Sequence, residues 1–245
     1  MATGQERAAA PPAGHGHTAA RRYTVSTHAA VFDVDGTLVD TNHLHTVCWW
    51  EALRQAGHHV SMTSVHSAIG LGSTDLLEHL LGQDRDRDED SAISASHKAL
   101  YGTWHERLAP FDGARDLLRR LHADGRPVVL ATSASGPELK ALRAAIDADE
   151  AIAETASADD VDAGKPAPDP VRHALELVGA QARGSVFVGD SVWDMRAGRR
   201  AGVLPIAVLS GGVCRAELED AGAAEVYTDT ADLLRNLNGS ALGRG

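Results

Sequence analysis

Ala29-Ala30-Val31-Phe32-Asp33-Val34-Asp35-Gly36-Thr37-Leu38 is the stretch on which the reading of this chain turns. Its opening residues are apolar, with a β-branched and an aromatic side chain, as in a buried strand. They run directly into two carboxylates one residue apart and then a glycine turn. In an extended chain, residues two apart point to the same side, so Asp33 and Asp35 converge on one ligand at the end of the strand. Taken alone, the pair could also cap a turn, because Asp-Gly is a common turn dipeptide.

Working outward from a first strand at residues 29–34, similar short apolar runs recur at residues 127–131, 185–188 and 204–209, with weaker ones at 152–156 and 225–227. Helical patterns fill the intervals. Leu117, Leu118 and Leu121 share one face of a helix over residues 114–122, and Ala174, Leu175 and Val178 share one over 171–178. Gly125 and Gly179 suit the left-handed turn that ends such helices. Strands alternating with helices predict an α/β fold, a doubly wound parallel sheet of Rossmann-like form. Open sheets of this kind bind ligands at the carboxyl ends of their strands, where Asp33 and Asp35 lie.

Between Asp40 and about Leu108 no strand pattern is found. Helices are expected instead at residues 43–55, 74–81 and 90–107, separated by Gly57, Gly70, Gly72 and Gly82. The charged run at 84–90 reads as a solvated loop without chemistry. The expected division is a disordered leader at 1–27, an α/β core at 28–40 and 109–240, and a helical cap at 41–108.

Three later segments carry chemistry. Val128-Val129-Leu130-Ala131-Thr132-Ser133 ends a strand in hydroxyls that can donate to phosphoryl oxygens. Gly164-Lys165-Pro166 offers an ammonium on a loop stiffened by proline. Val186-Phe187-Val188-Gly189-Asp190-Ser191-Val192-Trp193-Asp194 ends another strand in two acids, and carboxylates clustered in this way call for a hard cation. Each piece has an ordinary structural explanation, such as a helix cap for Thr132 or solvent exposure for Lys165. Their order across one sheet does not.

Composition limits the partners. The chain has 245 residues and a formal charge of −11, which argues against gripping a nucleic-acid backbone. Hydrophobic residues make up 43% and charged residues 23%, an ordinary globular balance with no apolar run of membrane-spanning length. Cys48 and Cys214 are too few for a disulfide framework, so a cytoplasmic location is expected. Residues 1–27 are rich in Ala, Pro, Gly and His and lack the apolar stretch of a secretory signal; His15-Gly16-His17 has no third ligand in register for a metal. The sequence carries no signal for an oligomeric state.

The constellation resembles the haloacid dehalogenase-like hydrolase superfamily over about residues 29–238, most specifically in the segment from Asp33 to Leu38 together with Gly189, Asp190 and Asp194. A helical insertion directly after the first motif resembles the subgroup with an α-helical cap, which includes phosphoglycolate phosphatase-like and β-phosphoglucomutase-like enzymes. The resemblance implies a Mg2+-dependent phosphatase acting on a small phosphorylated metabolite. In that scheme Asp33 is the nucleophile and Asp35 the acid and base, with a raised pKa needed for the acid role. Thr132 and Lys165 hold the phosphoryl oxygens, and Gly36, Ser133 and His45 contribute to substrate binding. The metal lies among Asp33, the backbone carbonyl of Asp35, and Asp190, with Asp194 outside them, orienting a metal-bound water or Lys165.

The resemblance also implies that His45, near the start of the cap's first helix, reports substrate binding to the closing cap; a solvated helix histidine is a nearly equal alternative. Trp49 and Trp50 cannot share one helix face, so one is expected at the cleft and the other inside the cap. Asp35 speaks against a metal-independent dehalogenase, and the filled catalytic positions speak against a silent binding module. A sugar phosphomutase would need cationic anchors for a second phosphate. The two anchor positions expected from the relatives hold Ser73 and Ser135, leaving Lys98, Arg107, Lys140 or Arg143 to compensate.

Overall fold

A computed structural model describes Met1 and residues 28–244. The leader and the His15–His17 triplet therefore lie outside the described residues, apart from Met1. Six parallel strands, β1 (Ala30–Phe32), β2 (Val128–Ala131), β3 (Glu154–Ala156), β4 (Val186–Gly189), β5 (Leu204–Val208) and β6 (Glu225–Tyr227), form one sheet in the order β3-β2-β1-β4-β5-β6. The order reverses on either side of β1, so the switch point of the doubly wound sheet falls at β1, where open α/β sheets bind ligands.

The period-two alternation of β1 sorts its side chains between two cores. Phe32 and Val34 pack with Leu117, Leu118, Leu121 and Leu130 on one face. Val31 packs with Val129, Phe187, Val171 and Leu175 on the other. The first face is covered by α5 (Ala114–Ala123) and α6 (Gly136–Ile146), the second by α7 (Asp169–Leu177) and α8 (Val192–Ala201). Gly125 and Gly179 stand just past α5 and α7 at φ +80° and +63°, the left-handed geometry that ends a helix without a Cβ penalty. The helices α9 (Arg215–Ala221) and α10 (Thr230–Arg235) flank the β6 edge.

Between β1 and α5 the chain forms α1 (Asn42–Gln55), α2 (Met62–Ala68), α3 (Ser73–Leu81) and α4 (Asp90–Gly102) around a separate core that includes Trp49, Leu53, Val65, Leu76, Leu77 and Ile93. Three features here differ from the sequence reading. The helix α2 was absent from it, because seven residues that bury only Val65 and Ala68 leave no readable period. The helix expected over 90–107 stops at Gly102, and the Thr103 hydroxyl donates to the Leu100 carbonyl before a separate 3-10 turn at His105–Arg107. The run at 84–90 is also more than a solvated loop. The Arg85 side chain is 2% exposed and pairs with Asp90 at 2.8 Å, and its guanidinium also donates to the carbonyls of Gly82 and Thr74. It pins the α3–α4 connection.

Candidate active site

Four segments meet at the carboxyl end of the sheet. The backbone N–H of Asp33 still donates to Val188 of β4 at 2.9 Å, so Asp33 is held as a continuation of the sheet. Asp190 follows β4 directly. Asp194 lies in the first turn of α8, where its Oδ2 accepts from the backbone N–H and the hydroxyl of Ser191 while the Ser191 hydroxyl accepts from the Asp194 N–H. This capping box settles the orientation of the carboxylate and turns Oδ1 toward Lys165. The Lys165 ammonium reaches Asp33 Oδ1 at 2.5 Å and Asp194 Oδ1 at 2.8 Å, and all three side chains are buried.

Carboxylate oxygens of Asp33, Asp190 and Asp194 lie within 4.8 Å of one another. Burial pushes the Asp33 carboxyl well above its usual range; Lys165 pulls against that, and Asp194, Asp190 and Asp35 add to it. Burial, followed by repulsion from Asp194, likewise pushes Asp190 up to about 7, against the hydrogen bonds from Thr37 and Asn42. Lys165 is shifted upward: burial works against its charge, but the attraction of Asp194 and Asp33 outweighs it. One ammonium among three buried carboxylates leaves a deficit of positive charge. That donor set, hard oxygens in close array, fits a divalent cation such as Mg2+.

Asp190 is gripped by groups that the sequence reading did not assign. Thr37 Oγ1 donates to Oδ1 at 2.9 Å and Asn42 Nδ2 to Oδ2 at 2.7 Å. Gly211 comes so close that a Cβ there would overlap the Asp190 carboxylate. Gly36, at φ +78°, is similarly tight, since a Cβ would overlap both Asn42 and Asp190. Close approach of these loops is what its position provides in the structure. Thr37 was visible within the first motif, but Asn42 and Gly211 carry no local signal of this contact.

The Asp35 carboxylate turns away from this cluster. Its Oδ1 accepts from Thr41 at 2.7 Å and lies 3.1 Å from His45 Nε2. Burial raises its pKa, but the His45 and Thr41 contacts outweigh that and hold the carboxyl below its usual range. This is the opposite of the raised value expected for an acid catalyst, because the hydrogen bond and charge of His45 and the Thr41 hydroxyl favour the carboxylate form. Burial disfavours the charge on His45, yet Asp35 and then Glu138 leave its pKa raised. Burial also lifts Glu138, 3.7 Å from His45, to about 7.

His45 is therefore buried and partnered, which corrects the reading of a solvated helix histidine. Of the two tryptophans, Trp49 is the one at the cleft, while Trp50 is half-buried against the α1–α4 core under the Arg54 guanidinium, 4.8 Å from its ring centroid. A cavity of about 190 Å3 opens over the carboxylates and is lined by Asp33, Asp35, Trp49, Leu76, Lys98 and Lys165, among others. Ser73, Ser133 and Ser135 also line it. Thr132 borders an adjoining cavity that shares Ser133 and Lys165, and its hydroxyl accepts the Ala134 N–H at 3.0 Å. Of the four cations named as compensating anchors, Lys98 is the one that lines the main cavity.

Comparison with known proteins supplies the context for this geometry. A family model described as haloacid dehalogenase-like hydrolase matches residues 27–202. A phosphoglycolate phosphatase of Nitrosospira multiformis is 31% identical over 183 residues, which cover 71% of this chain and 79% of that protein. The pyrophosphatase PpaX of Halalkalibacterium halodurans is 27% identical over 180 residues, 72% of this chain and 80% of its own length. The crystal structure of a hydrolase from Pseudomonas syringae superposes with a TM-score of 0.83 at 31% identity, covering 86% of this chain and 98% of the other.

Proposed function

As the chain belongs to the haloacid dehalogenase-like hydrolase family, we propose that it is a Mg2+-dependent phosphatase that hydrolyses a small phosphate monoester through phosphorylated Asp33. The observation that carries this reading is the convergence of Asp33, Asp190, Asp194 and Lys165 at the strand ends, beside an Asp35–His45 pair and beneath a cavity. Relatives named phosphoglycolate phosphatase and pyrophosphatase support the same class of reaction.

Asp33 attacks phosphorus while the bond to the leaving oxygen breaks, and Asp35 delivers a proton to that oxygen. Water then attacks the aspartyl-phosphate, giving its proton to Asp35 and releasing phosphate with Asp33 restored. Asp35 and His45 act as one protonic unit across 3.1 Å, so a proton held by the pair is available despite the lowered carboxyl pKa. Lys165, Thr132 and Ser133 supply positive charge and hydroxyl donors to the phosphoryl oxygens. Asp33, Asp190 and the Asp35 backbone carbonyl would hold Mg2+, with Asp194 orienting Lys165. When bound, Mg2+ supplies the charge that lets neighbouring carboxylates stay ionised around a dianionic phosphoryl group.

Residues 41–108 act as the cap and 28–40 with 109–240 as the core, the cap excluding water and selecting the leaving group. Among the described residues no helix is long and apolar enough to cross a membrane, and Cys48 and Cys214 are unpaired, in keeping with a cytoplasmic setting.

The test is hydrolysis of a panel of phosphorylated metabolites and p-nitrophenyl phosphate with Mg2+, repeated in excess EDTA. Phosphate release that stops on chelation and is poorly restored by Ca2+ supports the reading; full activity in EDTA overturns it. A phosphomutase would need a second anion anchor, and Ser73 and Ser135 line the cavity where cations would be required. Lys98, which lines the same cavity, is an observation in its favour. β-Glucose 1-phosphate with a trace of the 1,6-bisphosphate is expected to give free phosphate, if anything, and no glucose 6-phosphate.

A further inference from the structure

Part of the seam between α1 and α4 consists of four flat side chains in two pairs, each pair four residues apart on its helix: His45 and Trp49 on α1, His97 and Tyr101 on α4. That spacing places each pair on one helix face. His45 stacks on Tyr101 with centroids 3.9 Å apart and rings 20° from parallel, and Trp49 stacks on His97 at 4.1 Å and 11°. All four are buried. A helix seam is ordinarily filled by aliphatic residues, and two imidazoles there carry polar nitrogens that must find partners.

They find each other. His45 Nδ1 lies 3.1 Å from His97 Nε2, while His45 Nε2 lies 3.1 Å from Asp35 Oδ1. Burial, with the nearby His45 and Lys98 charges, holds the His97 pKa down to about 2, so its ring is neutral and has a lone pair to offer. A helical histidine otherwise rotates about two side-chain bonds. Here the stack settles the ring plane of His45, and the nitrogen-to-nitrogen contact settles which edge faces Asp35.

We propose that His97 is a positioning residue for acid–base catalysis: by occupying Nδ1 of His45 it aims Nε2 at Asp35, and so makes the geometry of a core carboxyl depend on the cap helix α4. This rests on the phosphatase reading above. Asp35 Oδ1 is then held from two sides, by His45 and by Thr41, and proton delivery to the leaving oxygen depends on a contact chain that begins on α4.

Two variants separate this role from simple packing. His97→Phe keeps a flat ring between Trp49 and Tyr101 but offers no acceptor; His97→Gln keeps an acceptor and loses the ring. Each is assayed with p-nitrophenyl phosphate, whose leaving group departs without much need of a proton, and with glycerol 2-phosphate, whose alkoxide needs one. The readout is kcat/KM, which covers phosphoryl transfer to Asp33. His97→Phe is expected to lose about tenfold more on the alkyl ester than on the aryl ester, part of the effect general-acid catalysis supplies. His97→Gln is expected to keep the wild-type ratio.

A ratio in the Phe variant within about twofold of wild type, or a Gln variant shifted as far as Phe, overturns the proposal while leaving the phosphatase reading intact. Wild-type protein inactive on both esters with Mg2+ would instead remove that reading, and the role of His97 with it. Should the Phe variant lack a melting transition, imidazole 15N spectra decide: a hydrogen-bonded Nδ1 on His45, retained in His97→Gln, supports the assignment, and a freely exchanging one refutes it.

Discussion

The carboxylate cluster on the core and the aromatic-imidazole seam of the helical insertion are both buried and both polar, yet they are held together in different ways. In the first, three carboxylates face one ammonium, and burial pushes Asp33 and Asp190 upward, a charge imbalance that a cation relieves. In the second, flat rings pack face to face, and the polar edges are satisfied pairwise from His97 to His45 to Asp35. The core cluster is a strained set of charges suited to receive a ligand. The seam is a packing unit suited to hold one group still. Asp35 follows the same strand as Asp33 but turns away from the first and is oriented by the second.

The sharpest way to test that contrast is Asp33→Asn, which is nearly isosteric and removes one buried charge. It is expected to lower kcat by about a thousandfold or more, through loss of the nucleophile, while leaving the melting temperature unchanged or raised. Residual activity above about a tenth of wild type would show that another group accepts the phosphoryl group, well beyond what a lost secondary contact leaves.

Lys165→Met asks how much of the core cluster rests on its single cation. Removing one partner of a buried ionic group costs about 3 kcal/mol, and the variant is expected to be recovered in part by Mg2+ in a melting experiment. A variant as stable as wild type without metal would mean that the carboxylates are already neutralised by protons. Gly211→Ala perturbs the same cluster more gently. A Cβ there must displace the Asp190 carboxylate, and Mg2+ activation is expected to weaken by about tenfold, as for loss of a supporting contact at a metal site. An unchanged Mg2+ titration would remove Asp190 from the metal-binding set.

The smallest expected effect lies on the seam side. Glu138 has a pKa raised from the ordinary 4.5 to about 7 by burial, so the folded state holds its proton more tightly than the unfolded chain. Its contribution to stability is fully present below pH 4.5 and is lost as pH rises through about 7. Chemical denaturation across that window is expected to show a downward slope in the wild type and a flatter one in Glu138→Gln. Equal slopes would mean that His45 neutralises Glu138 more completely than burial opposes it.

These two regions were unequally legible. Asp33, Asp190, Asp194 and Lys165 stand at or near strand ends or in a short loop next to turn residues, and a period of two followed by a glycine is a local pattern. The capping box of Ser191 and Asp194 is local too, which is why the orientation of Asp194 toward Lys165 was open to anticipation. Asn42, Gly211, His97 and Glu138 offer nothing comparable. Each is an ordinary residue in its own window, and each acquires its role from a neighbour 52 or more positions away or from a different element: Asn42 and Gly211 through Asp190, His97 through His45, Glu138 through His45. The short helix α2 was missed for a related reason, since only two of its residues are buried.

The sequence by itself determined the alternation of strands and helices, the helical insertion after the first strand and the carboxylates at the strand ends, because hydrophobic period and turn chemistry act over a few residues. Only the tertiary structure decided which way Asp35 faces. The choice lies between a charged cluster on the same sheet edge and an imidazole on α1. Packing across the α1–α4 seam settles it, a balance of burial, stacking and hydrogen bonding that exists only once the helices have met.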